Sequence, residues 1–267
     1  MDLQLRGKRA IVTGGSRGIG KAVARLLAAE GADVALVARS AEPLEAAAAE
    51  LAEVTGQHVI AVPADTGDDA SVRAMVERVV GELGSVDILV NCAAQAGGQG
   101  RVPSLDEIDA EAHFWPDMNV KVMGYLRCAQ AVAPHMKAAG WGRIINISGL
   151  AARQSGSTIG SMRNVAVAAL TKNLADELGP HGVNVTVVHP GLTRTEATPG
   201  VVARRAEATG TTPEEVERRM AEVNSVRKLI DAEDIAYVVA MLASPRSIAI
   251  NGDTIAAGGG APRAIHY

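Results

Sequence analysis

Seven short apolar runs recur along the chain with longer alanine-rich stretches between them, a rhythm that few folds accommodate. The runs fall at residues 9–12, 33–38, 58–62, 86–90, 143–147, 184–188 and 254–256. Each reads as a nearly continuous set of apolar side chains rather than an alternation, the pattern of a strand covered on both faces. Helical spacing appears between them, at 20–30, 42–55, 70–83, 118–139 and 163–178. Strand and helix in turn predict βαβ units and a doubly wound, Rossmann-like parallel sheet of about seven strands flanked by helices. The chain has 267 residues and is 48% hydrophobic, enough for one α/β domain over 1–267 to bury a core unaided. The connections are short except at 195–227, where Pro199, Gly200, Gly210 and Pro213 punctuate two charged segments. That stretch is expected to form a lid over a ligand site.

Composition narrows the chemistry. The two cysteines, Cys92 and Cys128, lie far apart in apolar surroundings and form neither a disulfide framework nor a CxxC motif, which suits a reducing cytoplasm. No apolar run reaches the length of a membrane span, and a net charge of -4 without a basic, aromatic-rich cluster argues against nucleic acid and anionic membranes. No His, Cys, Asp and Glu group has metal-ligand spacing. A small-molecule substrate is the expectation.

The first apolar run leads directly into Thr13-Gly14-Gly15-Ser16-Arg17-Gly18-Ile19-Gly20 and then a helix. Glycines there permit a tight turn and bring a pyrophosphate close to backbone N–H groups at the positive end of the helix. Gly14, Ser16, Arg17, Gly18, Ile19 and Gly20 are therefore cofactor-binding candidates. An acidic residue at the end of the second strand would select NAD(H); this chain has Ala38-Arg39. Arg17 and Arg39 together supply guanidinium groups for a 2'-phosphate, so NADP(H) is the predicted cofactor.

Thr13 to Gly20, with its spacing Thr-Gly-x-x-x-Gly-x-Gly, resembles the short-chain dehydrogenase/reductase family, and the likeness runs along nearly the whole chain. Asp65 matches the family's adenine-contacting acid. Asn91-Cys92-Ala93-Ala94 is similar to the Asn-Asn-Ala-Gly segment beside the cofactor, which nominates Asn91. Pro190-Gly191-Leu192-Thr193-Arg194-Thr195 resembles the turn that holds the nicotinamide carboxamide, nominating Pro190, Gly191, Leu192 and Thr195. The helices at 118–139 and 163–178 imply, by the same resemblance, a homodimer or homotetramer.

The resemblance also implies a Tyr-x-x-x-Lys pair, a preceding serine and a helical asparagine as the catalytic set. In this register the tyrosine position falls on Gly160, the lysine on Asn164, the serine on Gly149 and the asparagine on Lys121. A general acid contributes about 10² to 10⁴ in rate, so a reductase built this way needs another source for the proton. Lys121 is the first candidate, because a lysine desolvated in the vacated pocket has a lowered pKa; the plainer alternative is a snorkelling or interface lysine. Ser148 and Ser157 are the serines best placed to hydrogen-bond a substrate oxygen, although loop serines more often cap helices. Arg163 either binds an anionic group or faces solvent. Tyr125 shares the helical face of Lys121, with core packing the stronger alternative. Three readings follow: an NADP(H)-dependent oxidoreductase acting on a small carbonyl or alcohol with a rearranged centre, a lyase, hydratase or isomerase on the same scaffold, and a non-catalytic nucleotide-binding protein.

Overall fold

In the computed structural model, residues 2–94 and 102–262 are described. In chain order the main elements begin with β1 (Arg9–Thr13), α1 (Gly18–Ala29), β2 (Asp33–Ala38), α2 (Ala41–Thr55), β3 (Val59–Pro63), α3 (Asp69–Leu83) and β4 (Ile88–Asn91). They continue with α4 (Trp115–Met118), α5 (Gly124–Ala139), β5 (Gly142–Ile147), α6 (Thr158–Leu178), β6 (Val183–Pro190) and a short β7 (Thr193–Arg194). The last are α7 (Thr198–Thr209), α8 (Pro213–Ala221), β8 (Ile230–Asp231), α9 (Ala232–Ala243) and β9 (Thr254–Ala257).

Seven strands form one parallel sheet in the order β3-β2-β1-β4-β5-β6-β9. Alternate residues of each strand enter opposite layers. Ala10, Val12, Val34, Leu36, Ile88 and Val90 pack with α1, α2 and α9, whereas Ile11, Ala35, Val37 and Leu89 pack with α3, α5 and α6. Both faces are dry, which is why the strands read as unbroken apolar runs.

The strand order reverses between β1 and β4, so the loops leaving those strands diverge and open a crevice at their carboxyl ends. Thr13 holds the two sides together. Its buried hydroxyl accepts from the Cys92 and Ala93 N–H groups at 3.0 and 3.1 Å. Asn91 Nδ2 donates to Asn146 Oδ1 on β5 at 2.9 Å, and Asn146 Nδ2 donates to Thr171 on α6 at 2.9 Å.

Two departures from the sequence expectation bear on the site. The helix expected from residue 163 begins five residues earlier, at Thr158, because the Ser157 side chain caps it by accepting from the Gly160 N–H at 3.1 Å. The helix expected to be continuous over 118–139 widens at Asn119–Met123 into a π-type turn, with α4 before it and α5 after it. Such turns re-aim side chains and concentrate at functional sites. Lys121 sits inside this one.

Candidate functional site

Two cavities meet at the carboxyl ends of the strands. The first, about 570 Å³, lies at the switch point and is lined by the Gly14–Gly20 loop, Ala38–Ser40 after β2, Asp65 and Thr66 after β3, and Cys92–Ala94 after β4. Gly14 adopts a φ of +68°, and a Cβ there would lie 3.0 Å from the Cys92 backbone. A Cβ on Gly20 would lie 2.2 Å from the Gly14 carbonyl oxygen, so only glycine lets α1 start this close under the turn. Arg17, at the N-cap of α1, uses no side-chain atom to cap it. The Gly18 N–H donates to Glu196 at 2.8 Å. Arg17 and Arg39 are both exposed on this cavity and form no ion pair among the described residues. The constellation fits a dinucleotide: a glycine-rich turn, a helix N-terminus without a side-chain cap from its own N-cap residue, and two free guanidinium groups.

A second cavity of about 540 Å³ adjoins it, sharing Ile19, Cys92, Ala94 and Thr195. Lys121 reaches it from the π-type turn. The residue is 4% exposed, and its Nζ donates to the Ser148 carbonyl at 3.0 Å and to Asn164 Oδ1 at 3.2 Å. Burial, reinforced by the nearby Arg163 charge, lowers its pKa from 10.5 to about 7, against smaller opposing effects of Cys92 and Asp117. The Ser148 hydroxyl is turned toward Asn164, 3.0 Å from its carbonyl and 3.2 Å from Oδ1. Lysine, serine and asparagine thus form one buried cluster. Arg163, one residue before Asn164, donates from Nη1 to both carboxylate oxygens of Asp117, at 2.7 and 2.6 Å.

The glycines at the departed positions are fitted to this cluster. A Cβ on Gly149 would lie 3.2 Å from Asn164 Nδ2, and one on Gly160 would lie 2.8 Å from Ser157 Oγ.

Most residues expected from the sequence line one cavity or the other: Gly14, Ser16, Arg17, Gly18, Gly20, Arg39 and Asp65 the first, Lys121, Ser148, Pro190, Gly191 and Leu192 the second, and Ile19 and Thr195 both. Two expectations change. Ser157 lines neither, because its oxygen caps α6. Asn91 is fully buried in the sheet and touches the cavity only through its neighbours, its amide given to Asn146. Tyr125 takes the stronger of its two expected roles, core packing: it is 1% exposed, packs with Val167 and Val187, and donates to the Ile147 carbonyl at 2.9 Å. His189 accepts the Gly149 N–H at 3.3 Å, and burial lowers its pKa to about 4.

Three participants escaped the sequence reading. Asp117 pairs with a residue 46 positions away and Glu196 with one 178 away, separations at which no local pattern exists. Asn164 was read only as a missing lysine, yet it is the acceptor that anchors Lys121.

With this geometry in hand, the relatives are informative. A sequence profile of the short chain dehydrogenase family matches residues 8–206. The short-chain reductase protein NovJ of Streptomyces niveus is 37% identical over 254 residues, spanning 95% of this chain and 93% of its own length. L-sorbose reductase from Gluconobacter frateurii, solved with NADPH and L-sorbose, superposes with a TM-score of 0.91 at 30% identity, covering 99% of this chain and all of that one. An NAD+-bound xylitol dehydrogenase superposes with a TM-score of 0.85 at 26% identity, covering 96% of this chain and all of that one. Profile, overall identity and sheet topology agree: the chain belongs to the short-chain dehydrogenase family.

Proposed function

We propose that the protein is an NADP(H)-dependent oxidoreductase acting on a small carbonyl or alcohol, in which Lys121 carries the proton that the family's tyrosine carries elsewhere. The observation that supports it most directly is the position of Lys121. Its ammonium is desolvated in the cavity that adjoins the dinucleotide cleft, with a pKa brought to about 7, where a general acid works best near neutral pH.

Gly14, Ser16, Gly18, Ile19 and Gly20 would cradle the pyrophosphate, Asp65 would face the adenine end, and Pro190, Gly191, Leu192 and Thr195 the nicotinamide end. Arg17 and Arg39 would hold the 2'-phosphate, as the NADPH of the sorbose reductase neighbour encourages; the xylitol dehydrogenase neighbour carries NAD+. A reduced nicotinamide bound there supplies hydride to a carbonyl carbon. Lys121 gives a proton to the carbonyl oxygen and, in the reverse direction, its neutral amine takes one from the alcohol. Two of its three N–H groups are held by Ser148 and Asn164, leaving the third for the substrate. Ser148 is a positioning residue in this account, because its hydroxyl is turned to Asn164 rather than to the cavity.

The same reading makes 1–267 one domain and α7 and α8 the lid. These helices bury a small core of their own, formed by Val202, Ala206, Val216, Met220 and Leu229, and Thr195, Val223 and Asn224 at their margins line the second cavity. Exposed Met162 and Val165 on α6, with Met123 at the π-type turn, suit a dimer or tetramer contact. Two free thiols suit the cytoplasm.

The test is nicotinamide absorbance on mixing NADPH-loaded protein with small ketones and aldehydes, beside the Lys121→Met variant. Consumption by the parent and its loss in the variant are expected. NADPH bound without hydride exchange across the panel would make this a non-catalytic binder instead.

A further inference from the structure

The second cavity holds a cation that proton transfer leaves unused. Arg163 lines it beside Lys121, and no Asp or Glu is among its described lining residues. The side chain of Arg163 is 14% exposed, as is that of Asp117, its partner at the end of α4. Their pairing is unusual in one respect. Both carboxylate oxygens take their hydrogen bonds from Nη1 alone. Nε and Nη2 form the other edge of the guanidinium, the edge whose two parallel N–H groups match the two oxygens of a carboxylate. Neither has an acceptor among the described residues, and Nε is both shut off from solvent and without a partner.

Nη2, likewise without an acceptor among the described residues but not shut off, is the donor that a ligand oxygen in the cavity can reach. The charge balance points the same way. Asp117 offsets one of the two cations, so the cavity with Lys121 protonated has an excess of one positive charge, the complement of a monoanion. The excess also acts on Lys121 itself, whose ammonium is disfavoured by the Arg163 charge until an anion arrives.

We propose that this cavity takes an oxo acid, its carboxylate held by Arg163 Nη2 and its carbonyl oxygen directed to Lys121. The proposal rests on Lys121 as the proton-carrying group. The reduction balances as hydride from the reduced nicotinamide to the carbonyl carbon and a proton from Lys121 to oxygen, giving the hydroxy acid and the oxidised nicotinamide, with Lys121 reprotonated from water.

The experiment is calorimetric titration of pyruvate, acetoacetate and 4-oxopentanoate against their methyl esters, which keep the carbonyl and lose the charge. It is run on the protein alone and on the protein saturated with NADP+. A charge-assisted contact gives about 10- to 100-fold tighter binding of at least one acid than of its ester. Asp117→Asn, which frees the guanidinium, keeps or strengthens that preference. The double variant Asp117→Asn/Arg163→Met abolishes it without leaving an unpaired buried charge. A merely structural ion pair would make both variants act alike. Acids bound no better than esters throughout the series, or a preference that survives the double variant, would overturn the proposal. NADPH failing to bind, measured by its fluorescence, would overturn the cofactor reading alone, because the acid–ester comparison is also made without cofactor.

Discussion

Replacing Lys121 by Met changes how stability depends on pH, and the size of the change follows from the burial of one ammonium. The pKa of Lys121 falls from 10.5 to about 7 on folding, chiefly through desolvation and then through Arg163. Between those values the unfolded chain holds a proton that the native protein has released, so stability rises with pH across the interval and is lowest below pH 7. At full ionisation difference the slope approaches about 1.4 kcal/mol per pH unit. From about pH 6.5 to about 8.5, partial titration leaves a gain of about 2 kcal/mol. The other shifted groups enter only at the edges of the window and are common to parent and variant, so they largely cancel in the difference. His189, lowered by burial to about 4 from 6.5, acts mainly below it; Cys92 and Cys128, raised by burial to about 11 and about 12 from 9.0, act mainly above it. Lys121→Met also strips a donor from the Ser148 carbonyl and Asn164 Oδ1, a loss that does not vary with pH, so the difference in slope isolates the ammonium. Urea denaturation at fixed protein concentration gives both curves. The parent is expected to gain about 2 kcal/mol over the window relative to the variant. Parallel curves would refute the claim that Lys121 is held desolvated.

Two further outcomes follow from the cofactor cleft and the α6 cap. Arg39→Asp is expected to weaken NADPH binding about 10- to 100-fold while NADH binding holds or improves, as read by nicotinamide fluorescence; an unchanged NADPH-to-NADH ratio would remove Arg39 from the phosphate site. Ser157→Ala is expected to cost about 1 kcal/mol in urea denaturation through the lost cap, with NADPH affinity and turnover unchanged; a fall in turnover at constant stability would return Ser157 to the chemistry.

How far the sequence carried depended on whether an interaction was local. The strands were legible because both faces of β1, β2 and β4 are covered, so each position reports burial by itself. Gly14, Gly18 and Gly20 were legible because a turn between strand and helix demands them in order. Lys121 could be placed from Gly124 on the same helix, but not its route into the cavity, since the π-type turn leaves no mark in apolar periodicity. The start of α6 was lost because Thr158, Ile159 and Gly160 show no apolar stripe, and because a serine in a loop looks the same as a serine at a cap. Asn164 shows the deeper limit. Compared with a family pattern it reads as an absence, whereas in the fold it is the acceptor for Lys121, and Gly149 leaves the room its amide occupies.

The central claim is that Lys121 moves the proton, and the pH dependence of kcat/KM for carbonyl reduction by NADPH, in the parent and in Lys121→Met, tests it most directly. With a pKa of about 7, the parent should lose activity as pH rises through neutrality, because the proton to be donated is gone, and the oxidation of the alcohol should rise over the same range. Lys121→Met should be slower by about 10² to 10⁴ and show no such limb. A variant that reduces the same substrate at the parental rate, with the same pH profile, would contradict the account.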